Sequence, residues 1–186
     1  IFLCWNVVAQ ELVNNGNFES YSSCPDGYSQ TNRLHFWKAP TNGTSDYYNS
    51  CSNSQKVTVP NNHFGTQTAH SGDGYIGFQT PPYFLRLPGY HEYIQTRLKA
   101  PLEAGITYEV SFYLNLADSS GWVYDGGLAY LTKLPPSQKD WLEIPVVDKS
   151  CVININNASS DKIGWQLVKT DYVAKGGEEY LTLGHF

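Results

Sequence analysis

From Gly105 to Asp118 the chain reads GITYEVSFYLNLAD, and apolar and polar residues alternate along it. Tyr108, Val110, Phe112, Leu114 and Leu116 fall on one side of that alternation; Thr107, Glu109, Ser111, Tyr113, Asn115 and Ala117 fall on the other. A period of two is the period of a strand with one face in a core. A helix would scatter the same side chains around its circumference. β-Branched and aromatic residues suit that pleated, half-buried surface. The stretch therefore predicts a central strand of a β-sandwich, with Tyr113 and Asn115 turned away from the core.

Shorter segments of the same kind flank it. Glu11 to Glu19 reads as a first strand broken at Asn15-Gly16, and Leu34 to Trp37 as a strand edge that buries Trp37. Val57 to Val59 predicts a brief strand stopped by Pro60, and Gly74 to Gln79 another strand. In His91 to Leu98, Ile94 and Leu98 face one way and Tyr93, Gln95 and Arg97 the other. Strands are also predicted in Trp122 to Lys133, bent at Asp125-Gly126-Gly127, and in Ser150 to Ile155. Trp165 to Ala174 and Glu179 to Phe186 read as a closing hairpin turned at Gly176-Gly177. Ser20 to Asn32, Pro40 to Asn53 (with Asp46-Tyr47-Tyr48) and Thr80 to Gly89 are rich in Gly, Pro, Ser and Asn and predict loops. Pro135 to Lys149 reads as a connection anchored by Trp141 and Ile144. No amphipathic helix, repeat or linker interrupts the pattern, so 11–186 reads as one all-β domain, a sandwich or barrel. The last strand ends on Phe186 with no polar tail, which leaves room for a missing closing strand in a longer protein.

Composition narrows the setting. Of 186 residues, 41% are hydrophobic and 15% aromatic, enough for a core, while only 16% are charged. A net charge of -5 without basic clusters argues against nucleic acid, whose binding needs lysine and arginine to displace counterions. No apolar run is long enough to span a bilayer. There is no methionine, and residues 1–10, IFLCWNVVAQ, read as the remnant of a signal peptide, with a genuine first strand as the alternative. Cys4 would leave with that segment. Cys24 and Cys51 flank a loop-rich stretch that a disulfide would close. Cys151 is left over, to be buried, free or paired with another chain.

Two segments carry a resemblance. Leu12 to Glu19, LVNNGNFE, followed by Trp37, is similar to the opening of jelly-roll carbohydrate-binding modules of families 4, 9 and 22. Gly105-Ile106-Thr107-Tyr108 leading into Val110 to Tyr113 resembles their inner strand. The chain more closely resembles a domain of Bacteroidota surface proteins found with OmpA-like and with gliding or sorting modules. That resemblance rests on PTNGTSDYYNSC (40–51), VPNNHFGTQ (59–67), EYIQTRL (92–98), FYLNLADSS (112–120) and GGEEYLTLGHF (176–186). It implies a jelly-roll β-sandwich of the galactose-binding type, exported to the cell surface or secreted. It also implies a structural calcium, for which Glu19 and Asp73 are the matching carboxylates, without the acidic residue usual in the closing strand.

The chemistry available is that of binding. No G-x-S-x-G is present, and Glu178-Glu179 are adjacent, so on a strand they face opposite sides and cannot work as a pair. His35, His63, His70, His91 and His185 lack zinc-ligand spacing. The sequons at Asn42 and Asn157 read as plain loop residues in a bacterial protein. The 14 Tyr and 5 Trp suit sugar rings, which stack C–H patches on aromatic faces while their hydroxyls seek amides and charges. Tyr93, Gln95, Arg97, Tyr113, Asn115, Trp122 and Tyr124 are the candidate ligand residues, lining one concave sheet face. The reading is a non-catalytic binding module for carbohydrate. Its alternative is a structural or adhesion subunit that packs on protein partners, through an unpaired last strand, a cross-linking Cys151 or self-association.

Overall fold

A computed structural model describes residues 10–79, 89–121, 123, 126–155 and 160–186. Residues 1–9 of the expected signal remnant, with Cys4, and the candidate ligand residues Trp122 and Tyr124 lie outside the described residues. The fold is all-β. In chain order the strands are β1 (Trp37–Lys38), β2 (Asp46–Asn49), β3 (Asn61–Asn62), β4 (Gly65–Thr66), β5 (Gly74–Gly77) and β6 (Tyr93–Arg97). There follow β7 (Thr107–Leu114), β8 (Gly126–Thr132), β9 (Val152–Ile155), β10 (Gln166–Val173) and β11 (Tyr180–Gly184). The only helical pieces among the described residues are single 3₁₀ turns at Thr31–Arg33 and Lys149–Cys151.

The main sheet has five antiparallel strands in the order β1-β6-β11-β8-β9. Its inner face is built of cross-strand rows. Trp37, Thr96, Leu181 and Leu131 form one row, and Ile94, Leu183, Ala129 and Ile153 the next. These rows enter the core and meet Tyr108, Val110, Phe112 and Tyr172 from the β7–β10 ribbon. Alternation in β7 is as the sequence predicts: Tyr108, Val110, Phe112 and Leu114 are half-buried, and the residues between them are exposed. Its place in the sheet is not. Among the described residues β7 pairs only with β10, and the strand at the centre of the five-stranded sheet is β11.

Several other expectations need correcting. β10 and β11 do not form a hairpin, because the chain crosses from the ribbon to the main sheet between them. Paired with both β6 and β8, β11 offers no edge to a partner strand. Residues 11–19 form turns rather than a strand, with Asn15 at φ 51° and Phe18 at φ 61°, backbone that no ladder accommodates. Tyr47-Tyr48 belong to the fully buried strand β2 rather than a loop, and residues 57–59 form no strand. No helix among the described residues is long and apolar enough to cross a membrane.

The outer face of the main sheet is covered by the connection after β8. Ile144 is buried there and its N–H donates to Tyr93 Oη at 3.3 Å. The Gln95 amide donates to the Pro136 carbonyl at 3.0 Å, and the Val147 N–H to Tyr130 Oη at 3.2 Å. Trp141 anchors the same segment through its carbonyl, which accepts from the His91 N–H at 2.8 Å. Beneath it Tyr93 packs flat against Gly184, where a Cβ would collide with the ring, so glycine is required at that point of β11.

Cys24 and Cys51 are joined, with Cα atoms 5.7 Å apart, tying residues 20–32 to the end of β2. Cys151 is free and buried, its sulfur 3.5 Å from Tyr172 Oη, so it is not placed to cross-link a neighbour. The bridge spans 27 positions of chain, and closing such a loop restricts the unfolded state by about 3.5 kcal/mol. Replacing Cys24 and Cys51 together by serine is expected to lower the free energy of urea-induced unfolding by roughly that amount, about 3 kcal/mol.

Candidate functional site

The structure does not gather the candidate ligand residues on one open face. Tyr93 and Gln95 were expected on an exposed side of β6, but both are fully buried because the connection after β8 lies over them. Tyr113 is exposed on the β7–β10 ribbon, and Asn115, just past the end of β7, is half-buried. The Asn115 amide is engaged by the carbonyls of Asp161 and Gly164. Arg97 stands apart from them, on the last position of β6, where its side chain reaches solvent.

Arg97 lines a groove of about 400 Å³. The groove runs between the end of β6, the turn containing Asn14 and the strand entrance at Phe36, with buried Leu98 in its lining. Phe36 is its most unusual member. Phe36 lies just before β1, where a left-handed turn sends its ring outward while Trp37 enters the core. The phenyl ring is 62% exposed, and its residue sits at φ 72°, left-handed backbone that non-glycine residues seldom adopt. Both flanks hold it there. The His35 N–H donates to the Ser20 carbonyl at 2.9 Å, and the His35 carbonyl accepts from the Asn15 amide at 3.1 Å. On the other side Trp37 pairs with Thr96, and its indole N–H donates to the Asn15 carbonyl at 2.9 Å. Strain of this kind persists only where its surroundings over-determine it, and it concentrates at binding sites.

Polar groups surround the ring. Arg97 donates through Nε (3.0 Å) and Nη2 (2.7 Å) to Glu179 Oε2, and that carboxylate keeps the guanidinium firmly protonated. Other guanidinium N–H groups remain for a ligand. Lys99 Nζ is tethered to the Glu11 carbonyl at 2.9 Å. Phe36, Asn14, Lys99 and Glu179 were missed from the sequence. Phe36 alone had a signal: two aromatics in succession on a strand cannot both enter one core.

The Glu19 carboxylate reaches the backbone of the turn that carries Asp73. Glu19 Oε1 accepts from the Asp73 N–H at 2.8 Å and the Gly74 N–H at 2.9 Å, while Asp73 Oδ1 accepts from the Ser50 hydroxyl at 2.7 Å. Among the described residues no three His, Cys, Asp or Glu side chains gather as a metal-binding group. A cation at this corner would take its remaining oxygens from backbone carbonyls and water.

Three acids are buried: Asp46, Glu92 and Glu178. Asp46 accepts from the Ser29 N–H at 2.7 Å and from Tyr48 Oη at 3.2 Å. Glu92 accepts from Tyr90 Oη (2.7 Å), the Thr44 hydroxyl (3.0 Å) and the Gln79 N–H (2.7 Å). Asp46 thus ties a loop to β2, and Glu92 gathers the segments at Thr44, Gln79 and Tyr90 beside the start of β6. Burial pushes Asp46 up to about 6, the Ser29 N–H opposes it, and the charge of Glu92 adds to it. Burial likewise raises Glu92. Glu178 and Glu179 face opposite ways, Glu178 inward to Tyr172 Oη at 2.7 Å and Glu179 outward to Arg97.

Comparison of the chain with protein-family models, with curated proteins and with solved structures returned no match.

Because Asp46 titrates near 6 in the folded chain instead of its ordinary 3.8, the folded state retains a proton that the unfolded state has released. Stability from this group is present below about pH 4 and lost as pH rises through about 6. Asp46→Asn keeps an acceptor for the Ser29 N–H without the charge. Thermal melts should show parent and variant alike near pH 4, with the variant ahead by roughly 2 kcal/mol at pH 8.

Proposed function

We propose that this chain is an exported, non-catalytic binding module for carbohydrate, with its ligand lying along the Phe36–Arg97 groove. The observation that carries this reading is Phe36: an aromatic ring held out of the core, on strained backbone, beside a groove lined by amide and charged groups. Its face suits the C–H patch of a sugar ring. Asn14, Arg97, Lys99 and Glu179 supply donors and acceptors for hydroxyl groups. The all-β architecture and the likeness of residues 12–19 and 105–113 to jelly-roll carbohydrate-binding modules support the same reading, and the disulfide supports export. We extend the proposal to a structural calcium held by Glu19 and Asp73 with backbone carbonyls, fixing the turn that leads into β5.

Affinity electrophoresis through a panel of polysaccharides, with calcium and with chelator, tests it. One glycan should retard the protein, and Phe36→Ala should weaken that retardation about tenfold, the scale of one lost stacking contact. Arg97→Ala should weaken it too, whereas Tyr113→Ala should leave it unchanged. Chelator should lower the melting temperature if calcium is held, and leave it alone if Glu19 only caps its loop. No retardation by any glycan, from protein shown to be folded, would overturn the carbohydrate reading. Retardation unaffected by Phe36→Ala would move the ligand away from the groove.

A further inference from the structure

Apart from the His70 ring stacked on Tyr113, nothing among the described residues covers the outward face of the β7–β10 ribbon. Register sets its side chains in four cross-strand pairs: Thr107 with Val173, Glu109 with Asp171, Ser111 with Lys169, and Tyr113 with Leu167. All eight are exposed. The pattern along the ribbon is apolar, acidic, basic, apolar. Beyond its ends lie Ile106, and Ile163 with 90% of its surface in water. Tyr113 is stiffened by the His70 ring, stacked against it at 3.5 Å. Lys169 bridges to Glu109 at 2.5 Å within the chain.

We propose that two copies of this chain associate face to face through this ribbon, about a two-fold axis lying in the interface and across the strands. Such an axis reverses the order of the pairs while keeping each strand over its own symmetry mate. Val173 then meets Leu167 of the second copy, and Thr107 meets Tyr113. At the centre Asp171 meets Lys169 of the second copy, twice over. Each lysine so gains a carboxylate beyond its own Glu109. The alternative axis, along the strands, would set Asp171 over Glu109 of the second copy, and that like-charge contact disfavours it. Apolar ends meet apolar ends and acid meets base under one axis only, and that self-complementarity favours a second copy over an unrelated partner.

The contact is small. Eight residues of strand span about 27 Å, and a two-stranded face of that length covers about 400 Å² per partner. A standard interface buries about 800 Å² per partner, so the dimer is weak, with Kd on the order of 0.1 mM.

Sedimentation equilibrium of the whole chain over a concentration series crossing that range tests the proposal. The parent should fit a monomer–dimer equilibrium. Lys169→Asp alone sets Asp171 against aspartate in the second copy, and Asp171→Lys alone sets Lys169 against lysine; each should weaken association at least tenfold. An equimolar mixture of the two variants places Asp171 of one against Lys169 of the other, and the lysine at 171 against the aspartate at 169. That mixture should regain dimer, with circular dichroism showing both variants folded. A parent that stays monomeric throughout, variants that self-associate like the parent, or a mixture that fails to pair would each overturn the arrangement. Stronger association by Asp171→Lys alone would overturn it in favour of the other axis.

Discussion

The middle strands of the main sheet lie out of water on both faces. One face meets the β7–β10 ribbon across the core, and the other is sealed by the connection after β8. A strand buried on both sides is pressed to pair its polar side chains, because an unpaired buried group costs about 1–3 kcal/mol. Gln95 and Thr182 meet most of that demand: direct partners across β6 and β11, they bond to each other at 3.0 Å, and Gln95 turns its second N–H to Pro136, while Gln95 Oε1 stays buried without a partner among the described residues. The requirement also decides where binding chemistry can sit. With both faces of the sheet occupied, ligand groups are left for strand ends and for the outer ribbon.

The Phe36–Arg97 groove lies at such a strand end. Arg97 escapes because β6 ends there, and Phe36 escapes because the left-handed turn before β1 sends Trp37 in and Phe36 out. The same turn depends on Asn15, whose amide and carbonyl hold His35 and Trp37. Thus the segment that reads as a failed strand in the sequence is what presents the aromatic. Its polar residues serve as backbone braces, a role that period-two reasoning does not detect.

Legibility followed the range over which information acts. The alternation of β7, the burial of Trp37, the Cys24–Cys51 pairing and the strands at β5, β6, β8 and β9 were legible because each is set by local pattern or by one pair of residues. The facing of Tyr93 and Gln95 was not. Alternation in β6 correctly separates them from Ile94, but it is silent about the connection, some forty residues later in the chain, that covers them. β2 was masked by its Asn, Asp and Ser content, which suits turns in isolation. Here Asp46 and Asn49 are buried because Ser29, Tyr47 and Tyr48 satisfy them. The strand order, with β11 between β6 and β8, is a long-range property that no local window carries.

That strand order bears on how the chain reaches its native state. β6 and β8 never pair with one another; the β1-β6 pair and the β8-β9 pair are joined only through β11, which follows them by dozens of residues. Until β11 arrives, the inner face of the main sheet is split, and two hydrogen-bonding edges stand open a strand's width apart. Contacts of such long sequence separation are slow to form, because loop closure must precede any reward from pairing. The sheet is therefore whole only once Thr182 lies between Gln95 and Tyr130, and a chain that lacks β11 leaves its apolar rows open to aggregation.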